Sequence, residues 1–347
     1  MSAAAPELSV VVPVYGCEEC LQHLHQRLTA TLRTITSDYE LVFIEDRGPD
    51  NSWQELRRLA AQDPHVRAFR LSRNFGQHAA ITAGLAQSRG RWVVVMDCDL
   101  QEPPEEIANL YAKAQEGYDI VFAERRDRQH SWSRRTATRL YFRMLNLALG
   151  TRMSSELGNL SIISRKVADA FLEIPDQDRH YLMILHWLGF RHATIQFSHA
   201  ERFAGESSYT LGSLVRFAFD GLFFQTTTLL RWIVYAGFFV SLLGVVLAGF
   251  YTYKYFITGY QYPGWTSLAV LLLLLSGFLI VTTGVTGLYI GKIFNQVKNR
   301  PLFVLDEIVD GSVTVPGSAT DAGSRSAIAS ETEATRTAVA QGRSTPE

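Results

Sequence analysis

Apolar residues along this chain fall into two kinds of run. In the first part they are short and nearly continuous: residues 8–13 (LSVVVP), Tyr39–Glu45 (YELVFIE), 66–71 (VRAFRL), 93–96 (VVVM) and 119–123 (DIVFA). Short unbroken apolar runs between turn residues read as strands buried on both faces. The stretches between them have helical spacing. One runs from Glu18 to about residue 36, and a second starts at Asn51 with Asp50 or Asn51 as its cap. An Ala-rich segment after His78 ends near Gly90, and Pro103 and Pro104 open another helix. This alternation predicts a mostly parallel sheet covered by helices on both faces, an α/β domain over residues 1–206.

The second kind of run is long. No residue between Arg231 and Lys254 is charged, nor any from Tyr255 to Gly291, and a turn at Thr258 to Trp265 interrupts the second stretch. A bilayer span takes about 20 apolar residues, so the pattern predicts transmembrane helices over 232–256 and 266–291. Arg216 and Arg231 precede the pair and Lys292, Lys298 and Arg300 follow it, which by the positive-inside rule puts both termini in the cytoplasm. Tyr251, Tyr253, Tyr255, Tyr260, Tyr262 and Trp265 form an aromatic belt on the far side. Residues 207–231 are amphipathic and suit the cytoplasmic interface, and 292–309 read as a cytoplasmic juxtamembrane segment. Residues 310–347, rich in Ser, Thr, Ala and Gly, are expected to be disordered.

Composition changes this picture little. The 347 residues carry 33 Lys+Arg against 34 Asp+Glu, so no global charge invites nucleic acid. The mean hydropathy of +0.02 is high for a soluble chain, and the excess lies in the two long runs. The N-terminal residues 1–7 lack the basic start of a signal peptide, so the first domain is expected to stay in the cytoplasm, at the inner membrane. The three cysteines, Cys17, Cys20 and Cys98, are too few and odd in number for a disulfide scaffold and fit a reducing compartment. Cys17 and Cys20 form a C-x-x-C without a second pair, which argues against zinc and leaves a redox role as the lesser alternative.

Candidate chemistry gathers at strand ends. The run 93–96 leads straight into Asp97 and Asp99, whose alternate spacing lets both carboxylates share one face at the strand's carboxyl end. Glu45 and Asp46 end an earlier strand. Ligands of open α/β sheets bind at that edge, and two hard oxygens there suit Mg²⁺ or Mn²⁺ beside a diphosphate; a solvated strand end is the plainer alternative. The turn after the first strand, Pro13 to Glu18, has no G-x-G-x-x-G, and no phosphate-cradling P-loop occurs, which disfavours nicotinamide and flavin chemistry. After Ala123 the charge turns basic, with Arg125, Arg126, Arg128, Arg134, Arg135, Arg139 and Arg143. That segment is either a solvated helix face or a phosphate clamp, since guanidinium forks match phosphate oxygens. Arg202 sits in a Gly- and Ser-containing stretch, residues 201–209, that could act as a lid.

These motifs together resemble the family 2 glycosyltransferases of GT-A fold, and more narrowly the polyprenyl-phosphate sugar transferases. The stretches are VVPVYG, EDRGPDNSW, LSRNFGQHAAITAGL, MDCDLQEPPEEI, ERRDRQHSWSRRTA, HAERFAGESSY and YIGKIFNQVKNRP, in that order over residues 8–305. The resemblance implies an inverting, metal-dependent transfer of sugar from a nucleotide-sugar donor, UDP ahead of GDP, to undecaprenyl phosphate. It implies that Pro13, Tyr15 and Glu18 line the nucleotide pocket with Asn74 and Gln77, that Asp46 holds the base, and that Asp97 and Asp99 hold Mg²⁺ or Mn²⁺ beside Gln101. Arg125, Arg128 and Arg202 would meet phosphate. The chain departs from the family at Glu45-Asp46-Arg47-Gly48, where Asp-Asp-Gly-Ser is usual, and the family's later acidic position aligns with either Glu156 or Asn159. Transfer to a sugar hydroxyl and a catalytically dead membrane scaffold are the rival readings. Whether such hairpins assemble as four chains is left open.

Overall fold

The computed structural model describes residues 5–125, 157–197, 228–258 and 264–311. Its elements run β1 (Leu8–Val14), α1 (Glu18–Ile35), β2 (Tyr39–Glu45), α2 (Ser52–Gln62), β3 (Val66–Leu71), α3 (Gln77–Gln87), β4 (Trp92–Val95) and α4 (Glu106–Ala114). They continue with β5 (Ile120–Arg125), β6 (Leu157–Ser164), α5 (Arg165–Glu173), α6 (Tyr181–Leu188), β7 (His192–Phe197), α7 (Thr228–Thr258), α8 (Trp265–Val297) and β8 (Leu305–Asp310). The strands form one sheet in the order β7-β5-β6-β4-β1-β2-β3-β8. Pairings β1–β2, β1–β4, β2–β3 and β5–β7 are parallel, while β4–β6, β5–β6 and β3–β8 are antiparallel. The expected mostly parallel α/β sheet is what the chain forms.

The pleat explains the two-sided core. Val10 and Val12 of β1 join Leu21, Leu24 and Leu28 of α1 on one side, whereas Val11 joins Ile81 of α3, Phe171 of α5 and Tyr181 of α6 on the other. All of these side chains are fully buried. The approach of α3 to the sheet depends on Gly84, because a Cβ there would lie 2.2 Å from Val11 Cγ1.

Three features depart from the sequence expectation. First, β4 stops at Val95, so Asp97 and Asp99 lie in the turn beyond it and not at alternating strand positions. The ladder to β6 ends at Val95–Ser161, and the Asp97 N–H turns aside to Glu102 Oε2 at 3.3 Å. Second, β6, α5, α6 and β7 fill residues 157–197, for which no element was anticipated. Third, part of the segment read as juxtamembrane, 292–309, is a strand: β8 pairs with the outer edge of β3, with Leu305 opposite Leu71 and Asp310 opposite Arg67. The sequence LDEIVD is too acidic to announce itself as a strand. Its charges are met across the pair, Glu307 by Arg70 at 3.0 Å and Asp310 by Arg67 at 3.3 Å.

This register fixes where the long helices join the sheet. β8 begins at the carboxyl end of β3, so the chain arriving from α8 enters at the edge where β1, β2 and β4 also end. The last turns of α8 are tied there: Lys292 pairs with Asp178, Gln296 Nε2 donates to Pro175 O at 2.9 Å, and Gln177 N donates to Gln296 Oε1 at 3.0 Å. α7 has 31 residues and α8 has 33. Among the described residues, the stretch long and apolar enough to cross a bilayer is Leu275–Val297, and α7 carries a shorter apolar stretch, Ile233–Gly244. Most of the expected interfacial segment 207–231, and nearly all of the tail 310–347, lie outside the described residues.

Candidate active site

Three loops meet at the carboxyl edge of the sheet, after β1, β2 and β4. The first two are locked to each other. Glu18 N donates to Asp50 Oδ2 at 2.9 Å, Asn51 N donates to Glu18 Oε2 at 3.0 Å, and Cys17 N donates to Ser52 Oγ at 3.2 Å. Gly48 lets them close, since a Cβ there would sit 2.9 Å from Gly16 N. Glu18 therefore ties the loop after β1 to the loop after β2. Pro13 is buried within β1 and Tyr15, just beyond the strand, is exposed.

Asp46 follows β2 directly with its carboxylate turned inward, accepting the N–H groups of Phe75 at 2.7 Å and Gly76 at 2.8 Å. Burial pushes this carboxyl above the usual range, against the pull of the two N–H donors, and neighbouring Glu45 adds to the rise. Asp46 thus holds the loop that carries exposed Asn74 and starts α3. Glu45, which the sequence reading placed only as a strand-end acid, is 1% exposed and accepts Gly48 N at 2.6 Å and Arg70 Nε at 2.9 Å. Arg47, at φ 52°, is held by Leu71 O and Asp306.

Asp97 is the most heavily oriented group. Gln77 Nε2 donates to its Oδ1 at 2.7 Å, and Asn159 Nδ2 reaches Oδ1 at 3.1 Å and Oδ2 at 3.2 Å. These donors are neutral amides, so they aim the carboxylate without discharging it. Asp99 Oδ1 accepts the N–H of Gln101 at 3.2 Å, and Leu100 between them has φ 60°. Non-glycine backbone in that region costs of order 1–3 kcal/mol and persists where its surroundings over-determine it. The support is Glu102, 1% exposed, which takes the N–H groups of Asp97 and Leu160 and so ties the turn to β6.

The structure brings Asn159 to Asp97; Glu156, the other candidate for that position, lies outside the described residues. So do Arg128 and Arg202, while Arg125 ends β5 in register with Phe197. Glu102 and the pair His78–His180 went unnoticed in the sequence. The two imidazoles lie 4.4 Å apart, and burial together with His180 holds the His78 pKa down at about 3, so it is neutral at pH 7. Against the reducing environment that the cysteine count suggested, Cys17 and Cys98 are joined by a disulfide, and Cys20 is buried outside it.

Two part-exposed carboxylates with oriented oxygens suit a hard divalent cation. Among the described residues no third His, Cys, Asp or Glu joins them, so such a cation would complete its shell with diphosphate oxygens and water, as Mg²⁺ commonly does.

Known proteins resemble this chain. The description Glycosyl transferase family 2 matches residues 9–172. An undecaprenyl-phosphate 4-deoxy-4-formamido-L-arabinose transferase of Proteus mirabilis is 36% identical over 306 residues, 87% of this chain and 94% of that protein. An uncharacterised glycosyltransferase of Synechocystis is 33% identical over 87% of this chain and 95% of its own. A solved glucosyl-3-phosphoglycerate synthase of Mycobacterium tuberculosis, in complex with Mn²⁺, uridine diphosphate and phosphoglyceric acid, is 19% identical over 63% of this chain and 78% of that one. Its TM-score is 0.47.

Proposed function

Because the chain belongs to glycosyl transferase family 2, we propose that it moves one sugar from a nucleoside-diphosphate donor to a polyprenyl phosphate at the cytoplasmic face of a membrane. The observation that carries this reading is topological. The chain returns from α7 and α8 at the same edge of the sheet as the Asp97–Asp99 turn. Both long helices expose apolar side chains such as Phe238, Leu242, Leu279 and Ile280. A bilayer around them would hold a lipid phosphate next to the donor, and the name of the Proteus mirabilis relative gives undecaprenyl phosphate as its acceptor.

The chemistry suits these groups. A phosphate monoester has a second pKa near ~6, so it is largely dianionic at neutral pH. Its oxygen attacks the anomeric carbon from the face opposite the leaving group; the new C–O bond forms as the bond to the diphosphate breaks, with inversion. No general base has to remove a proton, which fits Asn159, a neutral residue, beside Asp97. Asp97 and Asp99 would hold Mg²⁺ or Mn²⁺, whose charge would offset that of the departing diphosphate. Gln77 and Asn159 orient Asp97, and the interlocked loops after β1 and β2 form the nucleotide wall. Arg125, Arg128 and Arg202 are proposed to receive the two phosphates, work that is placement and electrostatics. Two spanning helices with both termini cytoplasmic belong to the same reading, as does a UDP donor ahead of GDP.

The test is transfer of labelled sugar from a panel of UDP- and GDP-sugars into undecaprenyl phosphate by detergent-purified protein with Mn²⁺ or Mg²⁺. One donor should label the lipid, and Asp99→Ala should lower the rate by at least about 100-fold, the scale of losing an electrostatic contact to the transition state. Label appearing only on a sugar hydroxyl would favour the polysaccharide reading. Lipid labelling that persists in Asp99→Ala would remove the metal turn from the mechanism.

A further inference from the structure

We propose that Arg47 is a positioning residue for the donor nucleotide: through Asp306 it fixes the loop after β2, residues 46–51, and the strand returning from the long helices thereby completes the donor site. The proposal rests on the reading of the interlocked loops after β1 and β2 as the nucleotide wall.

Arg47 stands in a conformation that its own backbone does not favour. Its φ is 52°, in the left-handed region, which non-glycine residues hold only where their surroundings over-determine it. Those surroundings are two strands. The guanidinium fork donates through Nε to Leu71 O, at the end of β3, at 3.1 Å, and through Nη2 to the Asp306 carboxylate of β8. A lysine would not span the pair, because its ammonium is one compact charge and not a planar fork. The residues on either side of Arg47 make contacts within the site. Asp46 holds the N–H groups of Phe75 and Gly76, and Gly48 closes against Gly16. Arg47 is thus where the loop that carries both is fastened to the outer edge of the sheet.

The strand β8 is shaped to present Asp306. In its pairing with β3, Glu307 lies opposite Arg70 and Leu305 opposite Leu71, which leaves Asp306 as the extra residue of a β-bulge. A bulge re-aims a side chain, and this one sets the carboxylate on Arg47. The next residue braces the same loop by another route: Glu307 pairs with Arg70, Arg70 with Glu45, and Glu45 accepts Gly48 N. Both acids belong to the chain that follows α8 after residues 298–304. The side chains of Arg47 and Asp306 are 35% and 41% exposed, so their pairing adds little to global stability. Its effect is local. It holds one arrangement of the loop before the nucleotide arrives, which spares donor binding the entropy of ordering that loop.

The experiment uses the full chain in detergent with Arg47→Gly, Asp306→Ala and the double variant. Glycine adopts a positive φ without strain, so Arg47→Gly removes the fork and leaves the backbone conformation accessible. Calorimetry reads UDP and GDP binding in Mn²⁺, lipid labelling against donor concentration separates KM from kcat, and urea midpoints read stability. Each single variant should weaken nucleotide binding and raise the donor KM about fivefold, with a smaller change in kcat and little change in the urea midpoint. The double variant should bind no more weakly than Arg47→Gly alone, since both substitutions remove one interaction. If Asp306→Ala fails to fold, Asp306→Asn, which keeps the side chain's shape and removes its charge, takes its place. The proposal is overturned if Arg47→Gly binds nucleotide as the wild type does, if the two substitutions add, or if KM, kcat and the urea midpoint all worsen together. Weaker nucleotide binding in the variants, without lipid product from any donor, would sink the acceptor reading and leave the positioning role standing. No nucleotide binding by the wild type would overturn both.

Discussion

Asp97 shows how much a single carboxylate depends on side chains far from it in sequence. Its oxygens are aimed by Gln77, 20 residues earlier, and Asn159, 62 residues later. Supporting partners of a metal ligand are commonly worth 10–100-fold in metal affinity. Gln77→Ala should therefore raise the Mn²⁺ concentration for half-maximal transfer about tenfold with a smaller change in the saturated rate; a metal titration at fixed donor reads the split. His78 makes a prediction about pH. Its folded pKa, about 3, lies below the 6.5 of the free side chain. As pH falls through that window the unfolded chain takes up a proton that the native chain refuses, so stability present above pH 6.5 is lost down to about pH 3. The slope for one such group is at most about 1.4 kcal/mol per pH unit. Urea midpoints measured from pH 7 to pH 4 should drop accordingly, and His78→Asn should make the drop smaller; His180 and His186, also held down by burial, add to the same slope.

Elements are placed by what they cover. The strand β8 closes the outer edge of β3, and its Glu307 ties that edge to α2 and to Arg70. It accepts Trp53 Nε1 at 3.2 Å and pairs with Arg70, which in turn holds Glu45. Trp53 is 3% exposed, so removing its acceptor leaves a buried donor unsatisfied, at a cost of about 1–3 kcal/mol. Glu307→Ala should lower the urea midpoint by that measure and speed amide exchange in β8 before the inner strands β1 and β2. Unchanged exchange in β8 would show that backbone pairing alone secures the edge. The same element explains a misreading. A hydrophobic run is legible anywhere, but an acidic strand becomes legible only when the arginines opposite it are known.

For the whole molecule, the sheet carries its loops at one edge and receives the long helices at that same edge. On the proposed function the chain should stay with membranes through alkaline carbonate and leave them only in detergent; recovery in the carbonate supernatant would sink the anchoring. The amino-acid sequence by itself determined the alternation of buried strands and covering helices, including β2 and β3 to the residue, because those elements follow from local periodicity and unbroken apolar runs. It also marked Asp97, Asp99 and the two apolar stretches, since chemistry at a strand end and hydropathy over a span are local properties. Tertiary structure alone decided that Asp46 turns inward to the loop before α3, that Asn159 meets Asp97, that Glu102 holds the turn, and that Cys17 lies against Cys98. Each of those is a contact between loops distant in the chain, and such contacts depend on which strands lie side by side, something no local pattern encodes.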